Sequence, residues 1–118
     1  MNLGPPLNTA AFEAFPTPAP DGNTLYFNRS MTFDSQDSDI WMATRARPTE
    51  NWNRVRNLGA NVNARDAMTL APFISADQRP LYFMSARPER QGSVCAPATC
   101  FDRLELFVST VVCPDRAQ

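Results

Sequence analysis

The chain repeats itself, and this repeat constrains the possible fold more than any other feature. The stretch PAPDGNTLYF at residues 18–27 returns as ISADQRPLYF at residues 74–83, and Asn-Leu-Gly at residues 2–4 returns at 57–59, with Asn8 matched by Asn63 at the same offset. The two copies are therefore 55 or 56 positions apart. A period of this order is typical of solenoids and propellers, in which each copy is one supersecondary unit.

Short stretches in both copies alternate between apolar and polar positions, as strands do. In the first copy Leu25 and Phe27 share one face. The stretch DIWMAT at 39–44 matches ELFVST at 105–110, where Leu106 and Val108 share a face. This match is 66 positions apart, so the later copy carries an insertion of roughly ten residues, expected in a solvent-facing loop.

We expect an all-β fold with three or four short strands in each copy. Eleven prolines against four glycines, spread along the chain, would break any long helix. A length of 118 residues suits one ordinary domain. We divide it into a first unit at 2–56 and a second unit at 57–113, with the insertion at about 88–102.

The turn before the repeated strand has a predictable geometry. Pro20, Asp21 and Gly22 suit a tight turn that places a left-handed residue at the glycine. In the second unit Asp77 keeps its role, but Gln78 replaces the glycine. If both turns have the same geometry, Gln78 takes the left-handed position, and we predict that Gln78→Gly then stabilises the second unit.

The composition excludes several function classes. There is no His, all eleven cationic residues are Arg, and the net charge is −1. A histidine-based nucleophile and lysine chemistry are therefore excluded, and nucleic acid is a poor partner because no basic field exists. The opening residues do not read as a secretory signal, and no segment is apolar enough to cross a bilayer.

Three stretches together resemble a known family: PDGNTLYF, SDIWMATR and NWNRVRNLGANVN. They are similar to the WD-like β-propeller repeats of the TolB type, found in bacterial periplasmic and surface proteins. The resemblance covers about residues 2–112. It implies two antiparallel four-stranded blades of a partial β-propeller. The second unit departs from the family pattern at Gln78, at Glu105 and in the insertion, and it lacks the closing Trp segment.

Propellers close a ring of four to eight blades, so two blades form an open arc. The resemblance therefore implies either a fragment of a larger protein, which we favour, or several chains that assemble one ring. In the second case three copies would complete six blades. The family also suggests a periplasmic or cell-surface location.

Two clusters of residues could hold a metal, and both have a simpler explanation. Asp34, Asp37 and Asp39 lie within six residues, but they fit a turn-forming loop better than a Ca²⁺ site. Cys95 and Cys100 could close a small disulfide or remain thiols. Three cysteines without histidine argue against zinc. The third cysteine, Cys113, has no evident partner.

The remaining candidate residues also favour structural roles. Four aromatic residues could form a sugar-stacking surface, although blade packing explains their spacing better: Tyr26, Trp41, Trp52 and Tyr82. The sequon at 28–30 lies along a predicted strand. Four arginines between the two units are expected to form a solvated edge: Arg45, Arg47, Arg54 and Arg56.

We assign no catalytic, cofactor-binding or metal-binding residue. Asp21 and Asp77 are the only local acid or base candidates, and both are better explained as turn residues. The sequence favours a non-catalytic module that binds a protein or envelope component through propeller loops. Two alternatives stay open: a propeller segment of a larger hydrolase or lyase, and a lectin-like propeller that assembles from several copies.

Overall fold

The computed structural model of the protein describes residues 1–32, 37–64, 67–86 and 104–110. These residues form seven β-strands and no helix. In chain order the strands are β1 (Phe12–Pro18), β2 (Thr24–Ser30), β3 (Asp39–Thr44), β4 (Arg54–Asn57), β5 (Met68–Ile74), β6 (Pro80–Ala86) and β7 (Glu105–Thr110). The expected all-β class is confirmed.

The strands form two antiparallel sheets in which each strand pairs with its neighbour along the chain. The first sheet has the order β1-β2-β3-β4, and the second has the order β5-β6-β7. The propeller resemblance implies a fourth strand in the second sheet, and the described residues supply three. The cysteines and the insertion at about 88–102 lie outside the described residues.

The pairing register is the same in both sheets. Thr24 of β2 pairs with Thr44 of β3, while Pro80 of β6 pairs with Thr110 of β7. These positions are offset by 56 and 66, which are the offsets of the sequence repeat. The first strand of each sheet also carries an irregularity at the same place, where Phe15 and Ala71 have φ of 52° and 53°.

The turns that precede β2 and β6 are alike. Gly22 has φ of 71° and donates its N–H to the Ala19 carbonyl at 3.1 Å. Gln78 has φ of 62° and donates to the Ser75 carbonyl at 2.9 Å. The condition of the Gln78→Gly prediction, that both turns have the same geometry, is therefore met.

The main hydrophobic core lies between the two sheets, where β5 contacts β1, β2 and β3. The first sheet contributes its inner face, which carries Tyr26, Ile40 and Met42, and the second sheet contributes Leu81 and Phe83. Alternation along each strand directs the neighbouring residues to the opposite side. The outer face of the first sheet consists of Leu25, Phe27, Trp41, Ala43 and Val55.

A buried amide bridges the sheets beside this core. Asn28 is 3 % exposed. Its Nδ2 donates to the Thr69 carbonyl at 2.7 Å and to Ser38 Oγ at 2.9 Å, and its Oδ1 accepts the N–H of Ala71 at 2.8 Å. The amide thus satisfies backbone groups at the irregular part of β5 that no strand partner pairs.

Candidate functional site

The segment before β1 folds back over the outer face of the first sheet. Gly4 has φ of 70°, and its carbonyl accepts the N–H groups of Leu7 at 3.1 Å and Asn8 at 2.9 Å. Asn2 Oδ1 closes the start of this turn by accepting the Gly4 N–H at 2.7 Å. The turn places Leu7 in a buried cluster with Leu25 and Phe27 of the outer face, and leaves the Asn8 side chain exposed.

Arg29 fixes this segment to the sheet. Its guanidinium lies 4.7 Å from the ring centroid of Trp41 and 5.3 Å from that of Phe27. Its Nε is 3.1 Å from Glu13 Oε1, and its Nη2 donates to the Leu7 carbonyl at 3.1 Å. Both charged side chains are 13 % exposed, so this ion pair is screened less than a surface pair.

A groove of about 140 Å³ remains between this segment and the outer face. Its lining is mostly apolar and consists of Leu3, Leu7, Asn8, Glu13, Ala14, Pro16, Leu25 and Phe27. Glu13 is already paired with Arg29. The groove therefore suits an apolar side chain, with the Asn8 amide as the polar group available beside it.

The second unit shows what such a groove holds. Val62, Leu81 and Phe83 are the repeat equivalents of Leu7, Leu25 and Phe27, and they pack in one cluster with Ile40 of β3. Ile40 is fully buried there. The second-unit counterpart of the groove is thus filled by a side chain from an adjacent strand.

Asn63, the equivalent of Asn8, holds the backbone of that strand. Its Oδ1 accepts the Ile40 N–H at 2.7 Å, and its Nδ2 donates to the Ile40 carbonyl at 2.8 Å. Nearby, the N–H of Thr69 donates to the Ser38 carbonyl at 2.9 Å. The amide recognises backbone groups, so this contact does not depend on the side chain of the bound residue.

The acidic cluster forms hydrogen bonds within its own loop. Asp37 accepts the Thr32 hydroxyl at 2.8 Å and the Met31 N–H at 3.0 Å, and it also binds the Ser30 hydroxyl. Burial acts to raise the pKa of Asp37, but these hydrogen bonds outweigh it and hold the pKa below its usual value. This carboxylate is therefore a loop-ordering group.

Asp39 lies at the start of β3 and accepts Asn57 Nδ2 at 2.9 Å. Burial raises the pKa of Asp39, and the charge of Asp37 raises it further. Asp34 lies outside the described residues. Among the residues that the structure describes, no group of three or more His, Cys, Asp or Glu side chains is arranged to hold a metal ion.

The four aromatic residues of the possible sugar-stacking surface are not brought together. Tyr26 is buried between the sheets, whereas Tyr82 is 46 % exposed on the opposite side of the second sheet. Trp41 lies under Arg29, and Trp52 lies 4.2 Å from the guanidinium carbon of Arg45. The guanidinium groups cover the indole faces that a pyranose would need.

Other predicted positions have clear roles in the structure. Asp21 Oδ1 accepts the N–H groups of Asn23 at 2.8 Å and Thr24 at 3.0 Å, and Asp77 Oδ1 accepts the Arg79 N–H at 3.2 Å. Both carboxylates therefore order turns. The Asn28 side chain of the sequon is buried and fully engaged.

The arginines between the units do not behave alike. Arg47, Arg54 and Arg56 are exposed, as a solvated edge requires. Arg45 departs from that expectation, because its Nη2 donates to the Gly22 carbonyl at 2.8 Å and its Nη1 donates to the Glu50 carbonyl at 3.3 Å. It ties the turn before β2 to the connection after β3.

The repeat offset pairs Asn8 with Asn63, but no role for either residue followed from the sequence. The matched position was the available signal for the groove, because an Asn that recurs at the repeat offset points to a recurring backbone contact.

No helix in the described parts of the chain has the length and hydropathy to cross a membrane. No protein-family model, curated protein or solved structure matches this chain.

Proposed function

We propose that the protein is a non-catalytic interaction module built from propeller-type repeats, and that it binds a protein partner through the groove of its first unit. The second-unit counterpart of the groove holds Ile40 and its backbone, and this observation carries the proposal. The ligand we infer is a β-strand that offers an aliphatic side chain and an unpaired backbone edge. The family resemblance adds the bacterial envelope as the setting.

Strand binding of this kind combines backbone hydrogen bonds with side-chain pockets. Backbone contacts supply affinity that is independent of sequence, while the pocket selects the side chain at one position. The Asn8 amide would supply the backbone contacts, and the apolar lining would supply the pocket. The backbone beside Asn8 is held in place before binding, because Arg29 donates to the Leu7 carbonyl and pairs with Glu13.

A synthetic peptide that copies residues 37–46 tests this function directly, since it carries the strand that the second-unit site holds. We expect fluorescence anisotropy to show saturable binding of the labelled peptide to the full chain. The same peptide with Ile40→Asp should not bind, because a carboxylate cannot enter the apolar groove without losing its hydration.

Two protein variants locate the site. Asn8→Asp should weaken peptide binding at least tenfold, because a carboxylate cannot donate to the strand carbonyl. Thr49→Asp adds the same charge at an exposed position between β3 and β4 and should bind as the unchanged protein does. Peptide binding that is absent, or that is equal in both variants, would refute the proposed function.

A further inference from the structure

The second sheet has an exposed face that corresponds to the buried inner face of the first sheet. Its four large residues are Phe73 at 62 % exposure, Tyr82 at 46 %, Leu106 at 83 % and Val108 at 60 %. By register, Tyr82, Leu106 and Val108 are the equivalents of Tyr26, Ile40 and Met42. In the first sheet those three positions are buried against the second unit.

Two surfaces form the interface between the sheets, and the described residues contain a repeat equivalent of each of them. Neither of these two equivalent surfaces has a partner among the described residues. The groove of the first unit repeats the side made by Val62, Asn63 and Leu81. The exposed face of the second sheet repeats the side made by Ile40. A further unit could therefore pack against the groove of the first unit, and another could pack against the exposed face of the second unit, each as the two units pack against one another.

We propose that the groove of one copy of this chain binds β7 of a second copy, with Leu106 in the position that Ile40 occupies inside the chain. This inference rests on the proposed function and names its partner. Residues 2–8 of one copy would lie beside β7 of the other as residues 57–63 lie beside β3. Gly4 and Gly59 give these two segments the same turn, with φ of 70° and 84°.

The internal interface specifies the expected contacts. Asn63 binds both the N–H and the carbonyl of Ile40, so Asn8 would bind both backbone groups of Leu106. In the register of β6 with β7, Leu106 opposes Met84 as Ile40 opposes Asn28. The Leu106 backbone groups consequently point to the outer edge of the second sheet, where no other described strand pairs with them.

A second polar contact supports the same arrangement. Inside the chain Asn57 donates from Nδ2 to Asp39, while its Oδ1 accepts the Gly59 N–H. Asn2 makes the matching bond to the Gly4 N–H at 2.7 Å. Its Nδ2 is thereby directed as that of Asn57 is, and Glu105 of the second copy would take the place of Asp39.

The two interfaces also differ, and the differences affect strength more than geometry. Met84 stands where the first sheet has Asn28, and Phe73 stands where it has Thr17. The contact between copies therefore lacks the Asn28 bridge and buries more apolar surface instead. Because its two surfaces are different, the contact joins copies head to tail, which produces a ring if the rotation closes and a filament if it does not.

Sedimentation velocity with complementary variants tests the inference. The unchanged protein should associate beyond the monomer as its concentration rises. Asn8→Asp disables the groove and Leu106→Asp disables the exposed face, and each variant alone should weaken association at least tenfold. Both residues are exposed, so at low concentration, where the monomer prevails, both variants should keep the melting temperature of the unchanged protein.

Mixing the two variants gives the decisive result. Asn8→Asp protein retains an intact β7 and Leu106→Asp protein retains an intact groove, so an equimolar mixture should form a dimer and nothing larger. Thr49→Asp, the charge-matched control, should assemble as the unchanged protein does. A contact between two identical surfaces would not be restored by mixing.

A chain that stays monomeric at all concentrations, or a mixture that forms no dimer, would overturn this inference. The peptide experiment keeps the two failures apart. If the copied strand at residues 37–46 binds to a monomeric chain and Asn8→Asp abolishes that binding, the proposed function stands and only self-recognition is wrong.

Discussion

Gln78 holds a backbone conformation that the first unit gives to a glycine. Both turns make the same backbone hydrogen bond, and their φ values differ by less than ten degrees, at 71° and 62°. A side chain in the left-handed region costs about 1–2 kcal/mol relative to the right-handed conformation. The second unit therefore carries a strain that the first one avoids.

Exchanging the two residues measures this strain. Gln78→Gly should stabilise the protein by about 0.5–1 kcal/mol, since part of the relief is offset by the greater freedom of glycine in the unfolded chain. Gly22→Gln should destabilise it by a similar amount. A Cβ at position 22 would meet Pro48 at an ordinary 3.8 Å, so backbone strain is the expected cause.

Chemical denaturation of both single variants and of the exchange double variant checks this expectation. The two changes lie in separate turns, and the double variant should be close to the unchanged protein because distant effects add. A Gln78→Gly protein that is less stable would show that the Gln side chain contributes more than its backbone conformation costs.

Two acidic residues, Asp37 in the loop before β3 and Asp39 at the start of β3, should respond to pH in opposite directions. The pKa of Asp37 is lowered in the folded state by hydrogen bonds that outweigh its burial, whereas burial raises the pKa of Asp39. Asp37 therefore adds stability above its unfolded pKa of about 3.9, and this stability is lost as the pH falls through the lower folded value. Asp39 acts against stability when it is ionised.

The Asp37→Asn variant isolates the first effect. Its free energy of unfolding should be lower than that of the unchanged protein near pH 6, and the gap should narrow as the pH falls from about 4 through the lower folded pKa, because Asp37 then becomes protonated in both states. Urea unfolding at a series of pH values from 6 to 3 measures the gap. A gap that is constant with pH would contradict the role of the ionised carboxylate.

At the scale of strands and sheets, side-chain amides supply the hydrogen bonds that strand pairing cannot. Asn28 satisfies β5 where its register with β6 shifts, and Asn63 satisfies the Ile40 backbone beside the end of β4. Both amides are buried, and an unsatisfied buried polar group costs about 1–3 kcal/mol. These two residues fix how one unit sits on the next.

The repeat offers a matched test of the Asn28 bridge. Asn28→Met installs the residue of the second unit and should destabilise the protein by about 2–4 kcal/mol, because it leaves the Ala71 N–H and the Thr69 carbonyl unpaired. Met84→Asn makes the reverse change where no such bridge forms. It should alter the stability by less than about 0.5 kcal/mol.

Thermal melts of both variants, compared with the unchanged protein, decide between a bridge and simple packing. If Asn28→Met is tolerated, an apolar contact can replace the amide. In that case the exposed face of the second sheet, which already carries Met84, would need no Asn to receive a further unit.

At the scale of the whole molecule, the sheets share one core and should unfold together. Leu81 is fully buried in the cluster between them. Leu81→Ala should therefore destabilise both sheets, by about 3 kcal/mol for a leucine deleted from a packed core. Leu106→Ala, at an exposed position, should change the stability of the monomer by less than about 0.5 kcal/mol.

Differential scanning calorimetry at low concentration, where the monomer prevails, reports the size of the effect and the number of transitions. One transition that shifts downward in Leu81→Ala fits a shared core. Two separate transitions would show that the sheets are stable independently, and the contact between them would then be weaker than its burial suggests.

Much of the fold could be predicted because the same local sequence pattern occurs in both units. The strands depend on alternation and the turns before β2 and β6 depend on their turn residues, and both act over a few positions. The propeller resemblance agrees with an all-β chain of two antiparallel sheets and stays a prediction beyond that. The bounds of the two units stay a prediction as well.

The candidate site could not be predicted in the same way. Arg29 holds the segment at 2–8 on the outer face, and the Asn28 bridge exists because two distant strands meet. Neither contact leaves a periodic trace in the sequence. The match of Asn8 with Asn63 marked the site without revealing which atoms the amide binds.

The two copies of Leu-Tyr-Phe show how far the sequence alone predicts the structure. The sequence by itself determined that both are strands, with Leu25 and Leu81 on one side and the tyrosines on the other. Only the tertiary structure decided that Tyr26 is 3 % exposed and Tyr82 is 46 % exposed. The physical reason is that strand formation and turn geometry are local, whereas burial depends on which sheet lies against each face, and in the described chain only the first sheet has a neighbour on that side.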